Sequence, residues 1–232
     1  MASFKGVAVT NRILANLPRK DYGQIAPKLE PVALVFGHIL YDAGDPIRHV
    51  YFPIDSVVSL VTIIERGKAA EVGLVGREGM VGLPLALGDN VSPLRAVVQG
   101  TGTAMRMSAP SFRKFAGNPA LQRELFGFTH LLMGQVAQTA ACNRFHVVSA
   151  RLARWLLMTR DRVPSNQFKL THEFLGHMLG VQRVAVTQAA TALQNKGLIS
   201  YSRGNITILD RRALESAACS CYSLVKKMYA RA

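Results

Sequence analysis

The sequence predicts an α+β fold: an N-terminal β-roll or jelly roll, one long helix, and a C-terminal winged helix-turn-helix domain. Three observations carry this. Between Val32 and Met107, short β-branched and aromatic runs alternate with Gly, Pro and Asp turns, the pattern of a sandwich or roll. From Pro119, residues recur at spacings of four and three as far as Cys142, an approximate heptad seam. From Leu170 to Ile199, two amphipathic segments flank Gly180. The corresponding domains are 1–118, 119–145 and 146–232.

Residues 10–30 read as short helices. Ile13, Leu14 and Leu17 recur helically, Pro18 interrupts, and Tyr22, Ile25 and Leu29 resume. At Val32 the period changes. The runs Val32–Phe36, Ile39–Tyr41, His49–Pro53, Val57–Val61 and Glu71–Val75 are short and β-rich. Turn residues part them: Gly37-His38, Ala43-Gly44-Asp45-Pro46, Arg66-Gly67-Lys68 and Gly76-Arg77-Glu78-Gly79. A further pair follows at Leu94–Val98 and Thr103–Met107. Gly76, Gly79 and Gly82 lack the Gly-Lys-Ser/Thr that a phosphate-cradling Walker loop needs, so they read as turns.

Pro119 suits the first turn of a helix, where its missing N–H has no partner to lose. Leu121, Leu125, Phe128, Leu132, Val136 (beside Gln135) and Thr139 then form the seam, apolar at first and more polar later. A seam of this kind pairs two copies of a chain; the plainer alternative is an internal helix packed on the β-roll. After a bend near 143–148, Val148, Leu152, Trp155, Leu156 and Thr159 give a further helix one apolar stripe, with Arg151 and Arg154 off it. The loop Val163–Lys169 follows.

Thr171 is placed to cap the next helix, its hydroxyl accepting an otherwise unpaired backbone N–H. Phe174, Leu175, Met178 and Leu179 give that helix an apolar face. Gly180 falls where the chain must turn sharply and tolerates positive φ. Gly176 falls where two helices cross closely, and Val181 reads as the buried plug of the turn. In the second helix Val186, Ala189, Ala190 and Leu193 face inward. Its outward face carries Gln182, Arg183, Thr187, Gln188 and Thr191, side chains that hydrogen-bond base edges in a major groove. An ordinary helical hairpin in a core is the bland alternative. Ile199–Ile208 reads as two short strands, a wing with Arg203 at its tip and available to a phosphate. Asp210 caps a C-terminal helix expected to run to about Tyr229.

The formal charge is +14, and its distribution is uneven. Residues 146–232 hold 13 Lys/Arg against 4 Asp/Glu, a net +9, while residues 1–145 hold 15 against 10, a net +5. The basic excess therefore concentrates around the helix-turn-helix, as a polyanion-binding surface requires. Three cysteines, Cys142, Cys219 and Cys221, are too few and odd in number for a disulfide framework. Cys219 and Cys221, two apart on the expected helix, point in different directions, so no metal site is expected. The N-terminus lacks a long apolar run and no stretch spans a bilayer, so a cytoplasmic protein without a membrane partner is expected. No nucleophile motif or paired-carboxylate signature supports an enzyme, and no catalytic residue is expected.

The segment from about Ser149 to Asp210 resembles the C-terminal domain of the Crp/Fnr superfamily of bacterial transcription regulators. Leu170, Thr171, Leu175, Gly176, Leu179, Gly180, Arg183 and Val186 match that family's motif. Gln182 stands for its Ser or Thr, Val184 for its glutamate, Ala185 for its threonine and Gln188 for its last arginine. The resemblance implies sequence-specific binding to double-stranded DNA through Thr171, His172, Gln182, Arg183, Val184, Thr187, Gln188 and Arg203. Arg183 keeps the family's guanine-reading position, since its fork suits G O6 and N7; the departures imply an operator unlike the usual one. It also implies a homodimer whose two recognition helices lie about 34 Å apart on a pseudo-palindromic operator. A loop near Val163–Lys169 touches RNA polymerase in family members, so the polymerase is a further expected partner.

The β-rich region resembles the cyclic-nucleotide-binding β-roll of the same superfamily, through Ala43-Gly44-Asp45 and Gly79–Val98. The effector pocket implied by that resemblance comprises Gly79, Met80, Val81, Gly82, Leu94 and Arg95. In members that bind cyclic AMP, a glutamate follows the glycine and an arginine clamps the phosphate. Met80 and Val81 stand where the glutamate is expected. The arginine position falls on Leu94, or on Arg95 with a one-residue slip. A buried phosphate without its partner is strongly disfavoured, so the effector is expected not to be cyclic AMP. No cysteine precedes Cys142, which argues against the iron–sulfur cluster of oxygen-sensing members, and lone histidines do not argue for haem; no cofactor is expected. The competing reading is a ligand-sensing adaptor whose winged helix contacts a protein, motivated by Val184 and Gln188 on the reading face.

Overall fold

The computed structural model describes residues 10–64, 68–163 and 165–231. Arg66 and Gly67 of the expected turn and Pro164 of the expected loop lie outside the described residues. The chain forms two compact units, Met1–Leu60 with Leu74–Leu131, and Val61–Gly73 with Leu132–Ala232. The long helix is thus no domain of its own, because its first half belongs to one unit and its second half to the other.

In the first unit, α1 (Arg12–Ala15) is capped by Asn11, whose side chain accepts from the Leu14 N–H and donates to the carbonyls of Pro53 and Gly79 at 3.0 and 2.9 Å. After α2 (Arg19–Ile25) come β1 (Glu30–Leu34), β2 (Ile39–Tyr41), β3 (His49–Pro53), β4 (Val57–Ile63), β5 (Ala69–Val75), β6 (Arg95–Gly100) and β7 (Gly102–Ser108), the end of β4 and most of β5 being counted with the second unit. They form two sheets, ordered β1-β7-β3 and β2-β6-β4-β5. In the first, β7 lies antiparallel to both neighbours, with Met105 opposite Pro31 on one side and Phe52 on the other. Each β-rich run is a strand, with ends shifted by a residue or two. Val50, Phe52, Val57, Val58, Leu74, Val75 and Val98 are buried. The helix α3 (Ala109–Phe115), capped by Ser108 with a proline in its first turn, was not expected.

The helix α4 runs Pro119–Phe145, as Pro119 indicated. The stripe expected to form a dimer seam is in large part covered by the chain itself. Leu121, Leu125, Phe128 and Thr139 are buried within the chain itself, and Leu132 and Val136 are half-buried. A heptad stripe says that one face is covered, not by what. Here the Phe128 ring lies against Gly79, and the Gln135 amide donates to the Tyr229 hydroxyl at 2.6 Å. The exposed side instead carries Phe126 and Met133, 58% and 67% accessible, with Ala137 and Ala140 in the following turns.

The second unit continues with α5 (Val148–Arg160), β8 (Gln167–Lys169), α6 (His172–Leu179), α7 (Arg183–Asn195), β9 (Ile199–Ser202), β10 (Asn205–Ile208), α8 (Arg211–Ala217) and α9 (Cys221–Arg231). Part of the expected loop is strand: β8 adds to the wing in the order β8-β10-β9, with Phe168 opposite Ile206. α5 is buried on every side from Arg151 to Thr159 rather than along one stripe. The guanidinium of Arg151 donates to the carbonyl of Leu179 at the end of α6, and that of Arg154 to the Thr139 hydroxyl at 3.3 Å. The expected C-terminal helix is two helices. Asp210 caps the first, but Ala218 is extended (φ −74°, ψ 153°) and ends it. The break lets Leu214 of α8 and Tyr222 and Val225 of α9 all turn inward.

Candidate nucleic-acid interface

The interface is built from α6, α7 and the wing. Thr171 accepts from the Phe174 N–H at 3.1 Å and caps α6. Gly180 closes α6 in the left-handed region (φ 62°, ψ 39°), which suits glycine. Gly176 is required by a close approach: a Cβ there would stand 2.9 Å from the Val181 carbonyl oxygen. Val181 is half-buried rather than fully buried. Inward Val186, Ala189, Ala190 and Leu193 are buried, and Gln182, Arg183, Val184, Thr187, Gln188 and Thr191 are exposed. The helix therefore presents to solvent the face that periodicity assigned to it.

Four of the expected contact residues converge. Thr171, His172, Arg183 and Arg203 line one cleft of about 340 Å³, together with Glu173, Tyr201 and Gly204. It joins the first turns of α6 and α7 to the wing tip. Arg203 sits at φ 48° and Gly204 at φ 80°, between Ser202 and Asn205, which pair across the hairpin. Two positive φ values in a two-residue loop make a type I′ turn, whose twist matches the flanking strands. The first of them falls on an arginine, for which that region is unfavourable.

His172 also makes contacts within its own unit. Its ring stacks on Tyr201 (centroids 4.2 Å apart, 14° between planes) and its Nδ1 lies 2.9 Å from the Thr187 hydroxyl. That hydroxyl also lies 3.1 Å from the Arg183 carbonyl, which can accept from it. The Nε2 of His172 is buried without a hydrogen-bond partner. Burial, and then the charge of Arg183, hold His172 below the ordinary histidine value. His172 thus ties α6, α7 and β9 together as a neutral ring, and the Thr187 hydroxyl is engaged within the protein. Tyr201 was missed because nothing in strand periodicity announces a stacking partner.

The expected effector residues are arranged differently. Met80 and Val81 are buried. Val81 exchanges both backbone hydrogen bonds with Tyr51, at 2.8 and 2.9 Å. Gly79 has the Phe128 ring where a side chain would stand. Gly82 turns the chain at φ 101°. Leu94 is half-buried. Arg95 forks onto Asp42, Nε to Oδ1 at 3.1 Å and Nη2 to Oδ2 at 2.6 Å, and this pair lowers the Asp42 carboxyl below its usual range. The guanidinium is therefore committed to a carboxylate. Separately, Cys142, His146, Cys219 and Cys221 of the second unit place their ligand atoms within 4.8 Å of one another. The sequence reading, which took one unbroken C-terminal helix, did not bring them together.

Residues 150–217 match the Crp-like helix-turn-helix domain family and residues 32–118 the cyclic nucleotide-binding domain family. The chain belongs to the Crp/Fnr superfamily. This regulator is 26% identical over 215 residues to the global nitrogen regulator of Nostoc sp. (strain PCC 7120), covering 87% of this chain and 95% of that protein. Its fold is similar to that of a Crp/Fnr-family transcriptional regulator from Eubacterium rectale (TM-score 0.65, 19% identity, 90% of this chain and 99% of that one). It is also similar to FixK2 from Bradyrhizobium japonicum (TM-score 0.68, 17% identity, 82% and 98%). It is a DNA-binding transcription regulator with a cyclic-nucleotide-binding-like domain, and family and fold are not those of an enzyme. Among the described residues, no helix is long and apolar enough to cross a membrane.

Proposed function

We propose that this Crp/Fnr regulator acts as a homodimer on a pseudo-palindromic operator, with α7 in the major groove and the β9–β10 turn on the phosphates. The observation that carries the reading is the cleft shared by Thr171, His172, Arg183 and Arg203, on the part of the chain with the greater net charge. Arg183 reads guanine. Gln182 and Gln188 read neighbouring base edges, and exposed Val184 meets a thymine methyl. Arg203 supplies a phosphate contact that positions the domain without specifying sequence. The subunits pair through the exposed side of α4, with Phe126 and Met133 at its centre and Ala137 and Ala140 allowing close approach.

The β-roll senses an effector other than cyclic AMP. Supporting this are Met80 and Val81 in place of an acidic residue, the burial of both, and the fork of Arg95 onto Asp42. An effector acts only through different affinities for DNA-competent and DNA-incompetent states.

The test is selection of bound sequences from a random duplex pool with purified protein. An enriched inverted repeat with half-sites about one turn apart supports the dimeric reading. Binding without sequence preference, abolished uniformly by salt, refutes its specific part. One observation favours the adaptor reading: Val184, 64% exposed, puts an apolar side chain on the reading face. Arg183→Ala separates the two. Lost partner binding with unchanged DNA affinity supports the adaptor.

A further inference from the structure

We propose that Cys142, His146, Cys219 and Cys221 bind a single thiophilic divalent cation, zinc by its chemistry, and so join the end of α4 to the junction of α8 and α9. All four residues belong to the second unit. Cys142 lies in the last turn of α4 and His146 directly follows that helix; the His146 N–H still donates to the Cys142 carbonyl at 3.1 Å, so the helical spacing that sets both side chains on one face is kept. Cys219 and Cys221 are separated by one residue. On a continuous helix they would diverge, but the extended backbone of Ala218 ends α8, and α9 begins only at Cys221. Cys219 sits in that break, and both sulfurs turn toward α4.

The distances are those of a ligand shell. Cys142 Sγ and Cys219 Sγ lie 3.4 Å apart, Cys221 Sγ and His146 Nδ1 lie 3.5 Å apart, and no pair among the four exceeds 4.8 Å. A tetrahedral ion with bonds of about 2.3 Å to sulfur and about 2.0 Å to nitrogen sets its ligand atoms roughly 3.5–3.8 Å apart. A small adjustment of side chains closes the shell. Three sulfurs and an imidazole are the donor set of a structural zinc site, and four protein ligands leave no open position for catalysis. Hard cations such as magnesium and calcium prefer oxygen.

The surroundings point the same way. Three thiolates and one imidazole around a divalent cation carry a net charge of −1. The nearby cations are Arg151 and Arg154, only 5% and 4% exposed. Both interact electrostatically with Cys142 or Cys219. Neither is paired with a carboxylate among the described residues, and the Nε of each is buried without a partner. Uncompensated buried charge is costly, and an anionic thiolate site supplies the missing countercharge. The Gln138 amide donates to Cys221 Sγ at 3.0 Å, an outer hydrogen bond of the kind that orients metal ligands.

The experiment uses the full, untagged chain, purified in reductant without added metal. Elemental analysis is expected to find about one zinc per chain. Exchange for cobalt is expected to give the intense visible bands and the sulfur-to-cobalt charge transfer of a tetrahedral thiolate site. Cys219→Ser and His146→Ala are expected to lose the metal, and Ser220→Ala to keep it. The cobalt spectrum of the unaltered chain needs no variant to fold. Zinc below about a tenth per chain in folded, reduced protein, with a weak octahedral cobalt spectrum, overturns the site.

Discussion

Gly79→Ala tests the packing that joins the β-roll to α4. A Cβ on residue 79 would overlap the Phe128 ring outright, and even the more distant Cδ2 would be 2.8 Å away. The ring cannot swing into solvent, because Phe128 is 3% exposed and the neighbouring Met80 and Val81 are 1% exposed. Overpacking of this kind costs about 1–3 kcal/mol. Contact with three atoms of a flat, enclosed ring argues for the upper half of that range. Phe128→Ala alone should cost about 3–5 kcal/mol. In the double variant the alanine at 79 occupies space that the ring has left, so the two losses should fall short of their sum by about 1–3 kcal/mol. Urea unfolding followed by far-ultraviolet circular dichroism measures these losses. Emission from Trp155, the single tryptophan and part of the other unit, supplies an internal control whose transition should move least. Additivity within about 0.5 kcal/mol would refute the argument that these two residues compete for one volume.

Arg183→Ala should weaken operator binding by about 1–3 kcal/mol and relax preference at one base position, read by repeating the sequence selection. Arg203→Asn keeps a residue that tolerates positive φ but removes a charge; affinity should fall about equally on all sequences, and the slope of log K against log salt should drop by about 1. Thr171→Ala removes the cap of α6 and should cost about 1 kcal/mol, measured by unfolding followed at Trp155. The depressed value of His172 fixes a pH dependence. A histidine kept neutral in the fold contributes stability that is present above the ordinary value of about 6.5 and lost as pH falls through its lower folded value. Acidification from pH 7 should therefore destabilise the second unit, and His172→Gln should flatten that dependence; an unchanged acid profile counts against the neutral ring.

What could be read from the sequence was whatever depends on period and local backbone chemistry. The strand runs, Pro119 as a helix start, Thr171 and Asp210 as caps, and Gly180 as a left-handed turn all follow from residues acting on their immediate neighbours. The outward face of α7 followed because helical period fixes which side chains share a side. Misreadings arose where the answer depends on a partner distant in sequence. The stripe on α4 was correctly periodic, yet its covering comes from the chain itself. Arg151 and Arg154 are charged, and their burial became visible only with Leu179, Thr139 and the cysteines in place. The contact between the Thr187 hydroxyl and His172 joins residues fifteen apart, which helical period alone does not announce. The cysteine–histidine cluster depended on one extended residue, Ala218, whose alanine identity gives no hint of a break.

The two faces of α4 divide its work. One side is consumed by packing: Phe128 against Gly79 in the first unit, and Gln135 and Thr139 with Tyr229 and Arg154 in the second. That side holds the helix to each unit, with Leu132 and Val136 left half-buried. The other side exposes Phe126 and Met133, the residues through which pairing is proposed. Any shift of the segment around Gly79 is felt by Phe128, because the ring fills the space where a side chain on that glycine would stand. If the subunits pair through that side as proposed, substitutions at Phe126 and Met133 weaken dimerisation while leaving each unit folded, and substitutions at Phe128 destabilise the first unit.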